Sequence, residues 1–241
     1  MTEVFLEKAG KVKAFEIDRG FIESLKSFLQ EEEKNGSFQL IQGDVLKNWQ
    51  KEAEDASVNN SKDLHIKLAG NLPYNIAATF IAETITHGFT FSDCVFTVQK
   101  EVAERICAKE SEKNYSAFSV LCQWAYDVKT DIELAAGNFW PRPNVASQVV
   151  VLRRKAKKLE CENPDLFVKT VHALFSARRK TIANNIKPLL ANANAETIDG
   201  LFKRAGIPKT QRAENLRIED FLLLANEILF VKMENSEGIK K

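Results

Sequence analysis

Apolar and polar positions divide the chain into two stretches of different character. Up to about residue 152, short β-branched and apolar runs alternate with longer segments of helical spacing. Residues 12–17 predict a strand, 21–29 a helix, 38–41 a second strand and 64–69 a third, with a polar linker over 55–63. A helix is then expected over 76–85, a strand over 94–98, and helices over 101–108 and 118–124. Segments 131–135 and 149–152 are expected to close the sheet as a hairpin-like pair, across an insert holding Pro141 and Pro143. This alternation is that of an α/β domain with a mostly parallel sheet.

Beyond residue 152 a basic linker leads into helix-like segments at 166–175, 181–190, 195–205 and 218–230. Asn163-Pro164 opens the first and Gly206-Ile207-Pro208 ends the third, which predicts a small all-helical domain. The expected organisation is an α/β domain over 1–155, a helical domain over 156–233 and a polar, fraying tail over 234–241.

A hydrophobic content of 44% can fill a core, and no apolar run approaches the roughly 18 to 20 residues that cross a bilayer. Met1-Thr2-Glu3 is not a signal-peptide opening, so a soluble, cytoplasmic, monomeric protein without a membrane partner is expected. Cys94, Cys107, Cys122 and Cys161 form no C-x-x-C pair; they read as buried reduced thiols, with neither a zinc site nor a disulfide framework. His65, His87 and His172 suggest no ligand set or triad, so no metal is expected. The net charge of +1 decides nothing about nucleic acid, but basic residues cluster at Arg153-Arg154-Lys155 and at Arg178-Arg179-Lys180.

The sharpest feature is Asn71-Leu72-Pro73-Tyr74, directly after an apolar run and therefore at the carboxyl end of a strand, where open α/β sheets bind ligands. An aromatic amine is a weak nucleophile because its lone pair is delocalised into the ring. Hydrogen bonds from the amine to the Asn71 side-chain carbonyl and to the following backbone carbonyl would draw it out of the ring plane. Pro73 fixes the loop, and Tyr74 offers a face on which a base can stack.

With Asn75-Ile76-Ala77 after it, this tetrapeptide resembles the ribosomal RNA adenine dimethyltransferase family, including its erythromycin-resistance relatives. Three further segments are similar to that family: 14–18, ending in Glu16-Ile17-Asp18; Gly43-Asp44-Val45; and 98–105. So is the proline-rich loop Phe139-Trp140-Pro141-Arg142-Pro143-Asn144-Val145. The resemblance implies a Rossmann-like methyltransferase sheet and S-adenosylmethionine as cofactor. Glu16 would accept from both ribose hydroxyls, with Ile17 beside it, Asp44 would accept from the cofactor's adenine amine, and the Val45 backbone would read the ring edge. Phe139 would face the target base opposite Tyr74, while Trp140 reads as a core aromatic. Arg178, Arg179 and Lys180 would meet RNA phosphates.

The family also carries a Gly-x-Gly-x-Gly loop ahead of its Glu strand, and residues 1–10 read as the helix that follows that loop. The resemblance thus implies a sheet without its first, central strand, leaving two strand edges unpaired. Either the start was assigned too far downstream, which is the expectation favoured here, or the chain binds cofactor poorly. The leading reading is an enzyme that dimethylates two adjacent adenines in a 3′-terminal hairpin of small-subunit ribosomal RNA, within the precursor small-subunit particle. The alternatives are a noncatalytic RNA-binding ribosome assembly factor and a large-subunit methylase of the resistance type.

Overall fold

A computed structural model of the chain describes residues 1–59, 66–157, 159, 161–190 and 193–238. The chain divides into two units, Met1–Leu64 and His65–Lys241.

In the first unit the order is α1 (Thr2–Leu6), β1 (Val12–Glu16), α2 (Arg19–Phe28), α3 (Gln30–Lys34), β2 (Phe38–Gln42) and α4 (Val45–Asn59). β1 and β2 run parallel, in register from Val12 opposite Phe38 to Glu16 opposite Gln42. Parallel pairing puts the carboxyl ends of both strands on one edge. α2 starts where Asp18 caps it, its Oδ1 accepting from the Phe21 N–H at 3.1 Å. The linker expected over 55–63 is corrected in part: α4 continues to Asn59, and 60–63 lie outside the described residues. Leu46, Trp49 and Ala53 recur at helical spacing, and Trp49 is buried, which gives α4 an apolar stripe among its many polar residues.

The second unit contains β3 (Lys67–Asn71), α5 (Ala77–Thr86), β4 (Asp93–Gln99), α6 (Lys100–Cys107), α7 (Ala117–Ala125), β5 (Tyr126–Leu134) and β6 (Ser147–Arg154). The helices α8 (Pro164–Phe175), α9 (Ile182–Asn185), α10 (Ala195–Ala205) and α11 (Ile218–Gly238) follow. The sheet order is β3-β4-β6-β5; β3 and β4 are parallel, and β6 is antiparallel to both of its neighbours. The expected hairpin is present and longer than expected, because β5 starts already at Tyr126. Among the described residues β1–β2 and β3–β4 pair in parallel and β4–β6 and β5–β6 antiparallel, so the four-stranded sheet is mixed rather than mostly parallel. Among the described residues β1 pairs only with β2, and β3 only with β4, so each has one unpaired edge.

β4 shows why the strand forms. Cys94, Phe96 and Val98 are buried while Val95 between them is exposed, the period of two of a sheet with unequal faces. Among the helices, Phe167 and Phe221 are fully buried; the Trp124 and Phe167 rings lie 4.7 Å apart, and Phe175 stacks on Phe221 at 5.6 Å. Each buried aromatic contributes about 1.5–3 kcal/mol of transfer free energy.

The helix expected over 181–190 is shorter. Pro188 lacks an N–H, and α9 gives way to a 3-10 turn over Lys187–Leu189. At the other end α11 runs on to Gly238, so the tail expected to fray from 234 is helical as far as it is described. No described helix is long and apolar enough to cross a membrane.

Candidate active site

Register places the key residues of the second unit on one sheet edge. Asn71 at the end of β3 lies opposite Thr97, Thr97 lies opposite Val149, and Gln99 lies opposite Ser147. Because β6 runs antiparallel, its first residue shares the edge at which β3 and β4 end. The loop that leads into Ser147 therefore rises beside Asn71-Leu72-Pro73-Tyr74.

Asn71 is exposed at that edge. A Cβ on Gly70 would come within 3.2 Å of Leu72 Cδ2 and 3.8 Å of Phe96 Cδ1, so glycine leaves the room in which Leu72 folds back over the strand. The Pro73 carbonyl accepts from the Ile76 N–H at 3.0 Å and the Ala77 N–H at 3.1 Å, closing a turn that runs straight into α5. The Tyr74 hydroxyl shares a 2.5 Å hydrogen bond with the hydroxyl of Ser147, which is fully buried. The half-buried Tyr74 ring is thereby anchored at its far end, leaving its orientation fixed before any ligand arrives.

Ser147, which anchors the Tyr74 hydroxyl, is not legible in the sequence; a serine opening a strand carries no signature of its own. Tyr74→Phe should lower stability by about 1 kcal/mol by stranding the buried Ser147 hydroxyl, and adding Ser147→Ala should recover most of that loss. Thermal unfolding of both variants checks this, and an uncompensated double variant would show that the bond does not hold the ring.

The proline-rich loop follows a local turn and is tied down at its far end. Asn138 N–H donates to the Ala135 carbonyl at 3.0 Å, and Lys100 N–H to the Ala146 carbonyl at 3.0 Å. Phe139 is half-buried. Trp140 overturns the expectation of a core aromatic: it is 97% exposed.

In the first unit Glu16 and Asp44 stand at the carboxyl ends of adjacent parallel strands. Glu16 Oε1 accepts from the Ile17 N–H at 2.8 Å and the Asp18 N–H at 2.9 Å, while Oε2 has no hydrogen bond among the described residues. One oxygen thus fixes the carboxylate and the other is left to accept from a ligand. Gly43 has φ +118°, a conformation that favours glycine, and donates its N–H to the Glu16 carbonyl at 2.8 Å. Asp44 Oδ1 accepts from the Leu46 N–H at 3.0 Å as α4 begins, with Val45 half-buried beside it and Ile17 exposed. Anchored carboxylates of this kind fit the vicinal hydroxyls and exocyclic amine of an adenosine moiety.

The basic segment separates into two kinds of residue, and it lies in a turn after α8 rather than on a helix face. Arg178 is exposed but engaged by the protein's own groups: Nε and Nη2 donate to Glu214 Oε2 at 3.3 and 3.2 Å, and Nη2 to the Lys113 carbonyl at 3.1 Å. The same region is closed by Ser111 N–H to the Glu214 carbonyl at 2.7 Å and by the buried Tyr115 hydroxyl to the Leu216 carbonyl at 2.9 Å. Arg179 and Lys180 are exposed and make no ion pair among the described residues. The Ile182 N–H donates to the Gln211 carbonyl at 2.8 Å, which brings the exposed Arg212 near them.

All four cysteines are free; Cys94 and Cys122 are buried, Cys107 and Cys161 half-buried. Burial pushes the Cys94 thiol up to about 12 and raises Cys122 and Cys107 as well, so these thiols stay protonated and are poor nucleophiles at neutral pH.

The profile of the family described as ribosomal RNA adenine dimethylase matches residues 1–229. The chain is 45% identical over 229 residues to Ribosomal RNA small subunit methyltransferase A of Treponema denticola, covering 95% of this chain and 76% of that protein. It is 37% identical over 231 residues to the protein of the same name from Borreliella burgdorferi, covering 95% of this chain and 74% of that one. In fold it is similar to a dimethyladenosine transferase from Plasmodium falciparum, with TM-score 0.73 at 23% identity over 96% of this chain and 86% of that one. The 23S rRNA methyltransferase ErmE is a further fold neighbour, with TM-score 0.62 at 19% identity, covering 94% of this chain and 85% of that one. Both likenesses agree with the α/β reading of the fold. Matched along almost its whole length by that profile, the chain belongs to the ribosomal RNA adenine dimethylase family.

Proposed function

We propose that this protein transfers methyl groups from S-adenosylmethionine to the exocyclic amines of two adjacent adenines in a 3′-terminal hairpin of small-subunit ribosomal RNA. In this reading it works as a monomer on the precursor small-subunit particle, in the cytoplasm. Family membership makes the chain an S-adenosylmethionine-dependent rRNA adenine dimethyltransferase. The observation that carries the finer reading is the exposed Asn71 on the edge where Tyr74 is pinned to buried Ser147. The names of the relatives from Treponema denticola and Borreliella burgdorferi support the small subunit over the large one.

In this reading the Asn71 side-chain carbonyl and the Leu72 backbone carbonyl accept hydrogen bonds from the adenine amine and turn its lone pair out of the ring plane. Tyr74 and Phe139 hold the unstacked base, and Pro73 keeps the loop from relaxing. Glu16 and Asp44 orient the cofactor through its ribose and adenine, flanked by Ile17 and Val45. The cofactor supplies an activated methyl group, so the protein needs neither a nucleophile nor a metal of its own. As the amine nitrogen takes the methyl, the bond from methyl to the sulfonium sulfur would break with its electron pair staying on sulfur, leaving a neutral thioether, and the nitrogen would give up a proton to water; the secondary amine that results retains a lone pair for a second transfer.

Phosphate contact is proposed for Arg179 and Lys180, with Arg178 holding the surface on which they sit. Arg179→Ala with Lys180→Ala should weaken RNA binding and lower the salt slope of log K by about 1.5. Arg178→Ala should instead cost about 1 kcal/mol of stability and leave that slope unchanged. Filter binding across a salt series, with melting curves, separates the two; equal loss of slope in both would return Arg178 to the RNA.

The substrate assignment is tested by supplying labelled S-adenosylmethionine with precursor small subunits or with large subunits. Label is expected in small-subunit rRNA. Label in large-subunit rRNA alone would favour the resistance type, and binding without label in either would favour a noncatalytic assembly factor.

A further inference from the structure

Trp140 is out of place for its residue type. The other two tryptophans are buried, Trp49 at 4% exposure and Trp124 at 3%, whereas Trp140 stands at 97%. It lies on the loop that follows the Ala135–Asn138 turn and is tied down at the Ala146 carbonyl, on the sheet edge that carries Asn71 and Tyr74. Phe139 before it has extended backbone, φ −124° and ψ 148°. Successive side chains in extended backbone leave on opposite sides, so Phe139 turns toward the body and Trp140 away from it. The two rings therefore cannot flank the same base. Arg142, two residues on, is exposed and makes no ion pair among the described residues. Pro141 and Pro143 stiffen the stretch that carries it.

We propose that Trp140 is a stacking platform for the nucleotide flanking the methylated adenine, with Arg142 meeting that nucleotide's phosphate. This rests on the function proposed above and adds a positioning residue to it. Drawing one adenine out of its stack exposes the face of its neighbour, and an indole held outward on a tethered loop replaces the lost stacking partner. An aromatic face beside a free cation is the arrangement that single-stranded nucleic acid selects, since every base offers a ring and every link a charge. Trp140 thereby helps to register the substrate, so that the second adenine follows the first.

The test pairs protein and RNA changes on a hairpin carrying two adjacent adenines. Trp140→Ala should raise KM for the hairpin about ten-fold and leave kcat within about two-fold, while Trp140→Phe keeps most of the affinity. An abasic nucleotide is placed on each side of the target in turn. On one side it should cost the wild type about as much as Trp140→Ala does, and cost the Trp140→Ala variant little more. Arg142→Gln should lower the salt slope by about 0.8.

Acrylamide quenching gives a readout independent of catalysis, because Trp49 and Trp124 are buried. The hairpin should shield the wild type from quenching, with the shielding lost in Trp140→Phe. Independent losses from the abasic site and Trp140→Ala, or a Trp140 still open to quencher at saturating RNA, would overturn the proposal. So would shielding that grows with protein concentration alone, which would assign the face to a second copy. A wild type that is shielded by the hairpin but does not methylate it refutes the proposed function while leaving the Trp140 contact standing.

Discussion

Asn71→Ala should reduce methyl transfer by about 10²–10³-fold, the loss seen when one preorganised hydrogen-bonding group is removed from a reacting centre. Binding of RNA and of cofactor should change by no more than about two-fold. The reason lies in the position of Asn71. Its side chain is exposed at the end of β3, supports no described packing, and can be truncated without opening a cavity. What disappears is the side-chain acceptor that draws the amine lone pair out of conjugation, which matters only as the new bond forms. Single-turnover rates with filter binding check this: kcat should fall while Kd for RNA stays put. A variant that lost RNA binding in proportion to rate would assign Asn71 to substrate recognition.

Glu16→Gln should weaken S-adenosylmethionine binding by about 10- to 100-fold, the range of 1.5–3 kcal/mol for hydrogen bonds to a charged group. The amide oxygen can still accept from the Ile17 and Asp18 N–H groups, which hold Oε1 at 2.8 and 2.9 Å, so the fold should be preserved. The outward atom, however, becomes an N–H₂ donor facing hydroxyls that it should accept from. Calorimetric titration with a melting curve as control measures both effects. Unchanged affinity would mean that the carboxylate serves only its own backbone turn.

The strand ends carrying Glu16, Asp44 and Asn71 were legible because each follows a short apolar run and then breaks into polar residues, a local pattern. α4 was not legible: Lys47, Asn48, Gln50, Lys51 and Glu52 hide the spacing of Leu46, Trp49 and Ala53, and only burial of Trp49 reveals the inner face. Trp140 misleads because a tryptophan's residue type argues for the interior, whereas the extended backbone at Phe139 decides which side it takes. Arg178 looks like Arg179 and Lys180 in sequence. Its partner Glu214 lies 36 positions away, and that pairing depends on tertiary structure alone. Ser147 is hidden for the same reason, 73 positions from the Tyr74 hydroxyl it anchors.

The most direct test of the central claim is mass spectrometry of nucleosides from a small-subunit rRNA hairpin with two adjacent adenines, after incubation with the protein and S-adenosylmethionine. The account predicts N6,N6-dimethyladenosine at both positions, through a transient N6-monomethyl species, formed about 10²–10³-fold more slowly with Asn71→Ala. Methyl groups on a ring nitrogen or on another base, or none at all while RNA and cofactor both bind, would contradict it.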